Sequence, residues 1–70
     1  PPNLTAEEKT FQDIRKSYEI SDYVYRNRPS KRSDIRESLI MDYGKSDYSK
    51  FLKHEKQRLE AISKSKKPGS

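Results

Sequence analysis

The chain has 70 residues, 29% apolar and 39% charged, with no cysteine, no tryptophan and a formal net charge of +5. A chain this short holds one thin core, since a domain of about 60 residues buries only roughly 60% of its unfolded surface. Without cysteine there are no disulfide staples, thiolate nucleophiles or cysteine-ligated zinc and iron–sulfur centres, and a core of so few side chains leaves no room for a sizeable buried active site.

Mean hydropathy is -1.31 and the isoelectric point is near 9.6. No apolar run exceeds three residues, as in Leu39-Ile40-Met41, against the ~20 that cross a bilayer. No secretory leader pattern opens the chain. The expectation is a soluble intracellular domain. Opening at Pro1 and closing at Pro68-Gly69-Ser70, it reads as a segment excised from a larger protein, the last Gly-Ser as a cloning remnant. The charge is clustered: -2 over residues 1–25, +4 over 26–36, -2 over 37–49 and +5 over 50–70. Clustered cations attract polyanions and acidic peptides, chiefly by steering encounter.

Thr5 followed by Glu8 is a capping box, with Glu7 and Glu8 suited to the positive end of a helix dipole. From there Phe11, Ile14 and Tyr18 recur at helical spacing, with Leu4 one heptad before Phe11. Ile20 and Val24 fall on the opposite side of a continuous helix. Either one helix runs on to about Arg26 with a second apolar face, or it ends near Glu19 and Ser21 or Asp22 caps a short extra turn over residues 22–27; the pattern favours the break. Pro29 pushes Arg28 out of helical geometry, which makes residues 26–32 (RNRPSKR) a basic loop.

Ser33 as cap, Asp34 and Glu37 in the first turn and Gly44 at the end bracket a second helix over residues 34–43. Ile35, Leu39, Ile40 and Tyr43 share one side of it, and Met41 points nearly opposite. Ser46 or Asp47 caps a third helix, in which Tyr48, Phe51, Leu52, Leu59 and Ile62 fall within a sector of about 100°. Past Ile62 the run Ser63-Lys64-Ser65-Lys66-Lys67 has no apolar anchor and predicts a basic flexible tail. The expected fold is all-α, a compact three-helix bundle over residues 5–62 between a short extension (1–4) and the tail (63–70).

Catalytic chemistry is not expected. The one histidine, His54, falls on the outer flank of the third helix, and the two glycines cannot build a phosphate-wrapping loop. No cofactor, metal or membrane is expected as a partner. Glu55 stands inside the apolar sector of the third helix, where a lone carboxylate would be costly. Arg36 is its expected partner, with the hydroxyls of Tyr18 or Tyr25 next. Of the five tyrosines, Tyr18, Tyr43 and Tyr48 read as core, while Tyr23 and Tyr25 read equally as core or binding surface.

Ile35-Arg36-Glu37-Ser38-Leu39 with Tyr43-Gly44 resembles the middle helix of the domain at the C-terminus of the chromatin protein DEK. Phe11 with Asp47, Tyr48 and Leu59 resembles the FF domain of splicing and transcription factors. The helix after the first match is out of register. The loop before the second is too long, and Leu59 stands where its second Phe belongs. Neither family is assigned and no functional residue is carried over, but both imply a basic three-helix module of the nucleus.

The first functional reading is a non-catalytic protein-interaction domain of a nuclear protein in transcription, chromatin or RNA processing. It would bind an acidic or phosphorylated peptide or helix through Tyr23, Tyr25, Arg26, Arg28, Lys31, Arg32 and Met41. The alternative is nucleic-acid binding through Arg26, Arg28, Lys31, Arg32 and Arg36, together with Lys50 and Lys53, which align with Lys64 and Gln57 on the outer face of the third helix.

Overall fold

The computed structural model describes residues 4–65. They form three helices, α1 (Ala6–Val24), α2 (Lys31–Tyr43) and α3 (Lys45–Ser65), each packed on the other two. The capping box that opens α1 is complete: Thr5 Oγ1 accepts from the Glu8 amide at 3.1 Å, and Glu8 Oε1 accepts from the Thr5 amide at 2.9 Å. The bond from the Thr5 amide, with the Thr5 side chain beside it, holds the Glu8 carboxyl below its ordinary pKa.

α1 does not break near Glu19 but runs on to Val24. Ile20 and Val24 do lie opposite the core stripe, yet they require no second core, because both face solvent. Continuing the helix keeps one backbone hydrogen bond per residue, which outweighs leaving two apolar side chains exposed. In place of a separate helical turn, the connection over residues 25–30 is a pair of hydrogen-bonded turns. The Arg28 amide donates to the Tyr25 carbonyl (2.9 Å) and the Lys31 amide to the Arg28 carbonyl (3.2 Å).

α2 opens three residues earlier than the Ser33 cap implied. Ser30 is its N-cap, and the Ser30 hydroxyl donates to the Asp34 carboxylate (2.9 Å) instead of binding a backbone amide. Pro29, with its fixed φ, leads the chain straight into the helix, so Lys31 and Arg32 are helical and the basic loop is shorter than expected. α2 runs antiparallel to α1. Lys31 pairs with Asp22 at one end (2.8 Å), and at the other the Tyr43 hydroxyl lies 2.8 Å from Ser17 Oγ and donates to the Asp13 carbonyl.

Gly44 alone separates α2 from α3. Its amide donates to the Ile40 carbonyl at 2.8 Å, closing α2, and its carbonyl accepts from the Tyr48 amide at 3.0 Å, opening α3. Neither Ser46 nor Asp47 caps α3, which begins at Lys45. Ending one helix and starting the next in one residue requires φ +93° and ψ 151°, a combination that residues with a Cβ rarely adopt.

The core is small: Phe11 and Ile14 from α1, Ile35 and Leu39 from α2, Tyr48 and Phe51 from α3, with Tyr25, Ile40 and Tyr43 packed against it. Tyr43 and Tyr48 thus join the core as expected, whereas Tyr18 and Leu4 lie outside it and stay partly exposed. The apolar sector expected on α3 splits. Only its first two turns are buried, and Leu52, Leu59 and Ile62 face outward. α3 also continues through Ser65, past Ile62, with the Ser65 hydroxyl donating to the Ile62 carbonyl. The remainder of the expected tail lies outside the described residues.

A Cβ at Gly44 would meet nothing within 4 Å, so substitution there tests backbone conformation alone. Gly44→Ala is expected to cost about 1–3 kcal/mol in chemical denaturation, whereas D-alanine at the same position, which favours positive φ, should leave stability unchanged or raised. Equal losses for both would show that the positive φ is not required.

Candidate interaction site

The predicted loop site is largely satisfied from within. Arg26 lies over the Tyr23 ring, 4.2 Å from its centroid, and donates to the Tyr23 carbonyl. Arg28 lies over the Tyr25 ring at 4.8 Å and reaches Asp34 at 3.3 Å. With Lys31 held by Asp22, these three cations serve the turn between α1 and α2. Tyr25 packs on the core and Tyr23 is exposed. Arg32 and Arg36 are exposed on α2 and make no ion pair among the described residues. Met41 is 85% exposed, but it stands ten residues along α2 from Lys31, about 15 Å at 1.5 Å per residue. The helix therefore does not bring it to the loop.

Glu55 does not meet Arg36. It accepts from Arg15 of α1, whose Nε (3.1 Å) and Nη2 (2.6 Å) both reach Oε1, and from Arg58 one turn on, whose Nε reaches Oε1 and Nη2 reaches Oε2, both at 3.0 Å. Neither Tyr18 nor Tyr25 bonds to it. Arg15 follows Phe11 by four residues and so flanks the core stripe facing α3, while Arg36 sits on the solvent side of α2. The hydrogen bonds from Arg58 and Arg15, with the charges of both, hold the Glu55 carboxyl at about 2 against a burial that pushes it up. The same contact raises the pKa of Arg58.

Beside this cluster runs a groove between α1 and α3 lined by Arg15, Tyr18, Phe51, Leu52, Glu55 and Leu59. Its walls are mostly apolar and open to solvent: Tyr18 is 40%, Leu52 47% and Leu59 55% exposed, with Ile62 (37%) one turn beyond Leu59. Two guanidiniums share one carboxylate at its side, leaving a net charge of +1. The Nη1 group of each has no carboxylate partner among the described residues. Sequence reasoning assigned these apolar residues to the core and so missed the groove.

The opposite flank of α3 differs in chemistry. A shallow cleft is lined by Glu7, Phe11, Lys50, Lys53, His54 and Gln57. His54 is not a free surface residue: its ring packs against Phe11 with centroids 4.5 Å apart and a tilt of 31°. Its Nδ1 is buried, 4.0 Å from Glu55 Oε1, with no hydrogen-bond partner. Lys50 and Lys53 are exposed and make no ion pair among the described residues.

No family model, curated protein or solved structure matches the chain.

Because folding lowers the Glu55 pKa from its ordinary 4.5 to about 2, its contribution is complete above pH 4.5 and is lost as pH falls through that window. Glu55→Gln is expected to lose about 1–2 kcal/mol at pH 7, a modest figure because both arginines are partly exposed. Its stability should then fall less than the parent's between pH 4.5 and 2. Parallel acid limbs in pH-dependent denaturation would contradict the assignment.

Proposed function

We propose that this domain is a non-catalytic protein-interaction module whose α1–α3 groove receives the apolar face of an acidic amphipathic helix from a partner. The observation that carries this reading is the set of exposed apolar side chains on one groove, Tyr18, Leu52 and Leu59, with Ile62 one turn beyond, beside the Arg15–Glu55–Arg58 cluster. Burying apolar area supplies affinity at roughly 25 cal/mol per Å² before the costs of association. Residues 52–62 of α3 span about 15 Å at 1.5 Å per residue, room for two to three turns of a docked helix. Selection for acid comes from the half-used guanidiniums, since a carboxylate beside the apolar anchors completes their hydrogen bonding while a lysine there is repelled. The surface expected at Tyr23, Tyr25 and the basic loop is the weaker candidate, because its cations already stack on and bridge to their own neighbours.

The probe is a synthetic helical peptide with leucines at i, i+3, i+4 and i+7 and glutamates elsewhere, titrated into ¹⁵N-labelled domain beside a counterpart with lysines for glutamates. Saturable shifts should gather on residues 15–18 and 52–62 with the acidic peptide alone. Leu59→Asp should abolish them while changing stability by no more than about 0.5 kcal/mol, as expected for an exposed position. Shifts centred on Tyr23 or Met41, or an equal response to both peptides, would overturn the proposal.

A further inference from the structure

The cations that the sequence groups as one basic surface fall into two classes. Arg26, Arg28 and Lys31 are engaged by aromatic rings and carboxylates of the α1–α2 turn. Lys50 and Lys53 are exposed without an ion pair among the described residues, and they frame a cleft. Lys64 continues the same face three turns on, also exposed and without an ion pair among those residues. The cleft is lined by the rings of Phe11 and His54, 4.5 Å apart and tilted by 31°, and the His54 side chain keeps 36% of its surface open. Gln57 adds an amide at the rim, able both to donate and to accept.

We infer that this flank of α3 is a binding site for single-stranded nucleic acid, with a base stacked on the outer face of His54 and the adjoining phosphates on Lys50 and Lys53. The two parts suit one ligand: an aromatic face takes any base, and cations at helical spacing track the backbone. A single strand fits better than a duplex for two reasons. In a duplex the base faces are stacked away from the protein. The positive strip is also short: Glu7 lines the cleft beside Lys50 and Lys53, and Glu60 stands between Lys53 and Lys64 along α3. A wide polyanion laid across that strip meets both carboxylates, whereas one strand seated on Lys50, Lys53 and His54 meets only Glu7. The site is separate from the α1–α3 groove, so the two can be tested independently.

The experiment is a fluorescence-anisotropy titration of the full chain with a mixed-sequence single strand, the matching duplex and inorganic polyphosphate, each across a salt series. The single strand should bind most tightly, with a slope of log affinity on log salt of about -1.4 to -2.1, that is, -0.7 for each of two or three phosphates. Lys50→Gln with Lys53→Gln should flatten that slope by about 1.4. His54→Leu keeps an apolar contact with Phe11 and removes the stacking face. It should weaken the single strand about five-fold or more while leaving polyphosphate unchanged. Leu59→Asp, in the groove, should alter none of these. Circular dichroism of each variant separates lost binding from lost fold. Equal affinity for strand, duplex and polyphosphate would overturn the inference, as would indifference to His54→Leu, or no binding of the single strand at near-physiological salt.

Discussion

Gly44 sets the geometry on which both flanks of α3 depend. By ending α2 and starting α3 in one residue, at a backbone conformation open to glycine, it removes any linker that could let the two helices align along their whole lengths. α1 packs on both helices, and the core closes around three short stretches. On α3 it reaches Tyr48 and Phe51 and goes no further. What lies beyond is still helical, but its apolar side chains are only partly covered within the domain.

The ionic cluster at Glu55 marks that boundary. A carboxylate between two partly exposed arginines at the edge of a core adds only about 1–2 kcal/mol, because solvent screens part of the attraction. Its structural value is positional. Arg15 comes from α1, so the contact fixes how far α3 lies along α1 and where the apolar groove begins. On the same helix, one flank presents leucines and the other lysines with a histidine ring. The groove and the cleft are thus two faces of one constraint: α1 covers α3 over too short a length to bury either.

Much of this fold could be read from residues alone, for definable reasons. The capping box at Thr5, the stripe of Phe11 and Ile14, and Gly44 are local signals with short-range causes, and each stands where expected. The errors share a different cause. Periodicity says which side chains share a face, not how much of that face a neighbour covers, so Leu52, Leu59, Ile62 and Tyr18 read as core. The same blindness to tertiary placement paired Glu55 with Arg36, although the Glu55–Arg58 spacing was an available clue. In the loop, residue types were read correctly as cations and aromatics. That they would satisfy one another depends on the turn geometry over residues 25–30, which no pattern encodes.

Amide hydrogen exchange along α3, measured on the free domain and again with the acidic amphipathic peptide, tests the central claim most directly. In the free domain the amides from Phe51 to Glu55 should be protected close to the global limit, and those from Leu59 to Ser65 should exchange much faster through local opening. Bound peptide should slow the second group and leave the first unchanged. If the amides of Leu59 and Ile62 are already as protected as that of Phe51 without peptide, the distal half of α3 is packed within the domain and the groove is not a docking surface.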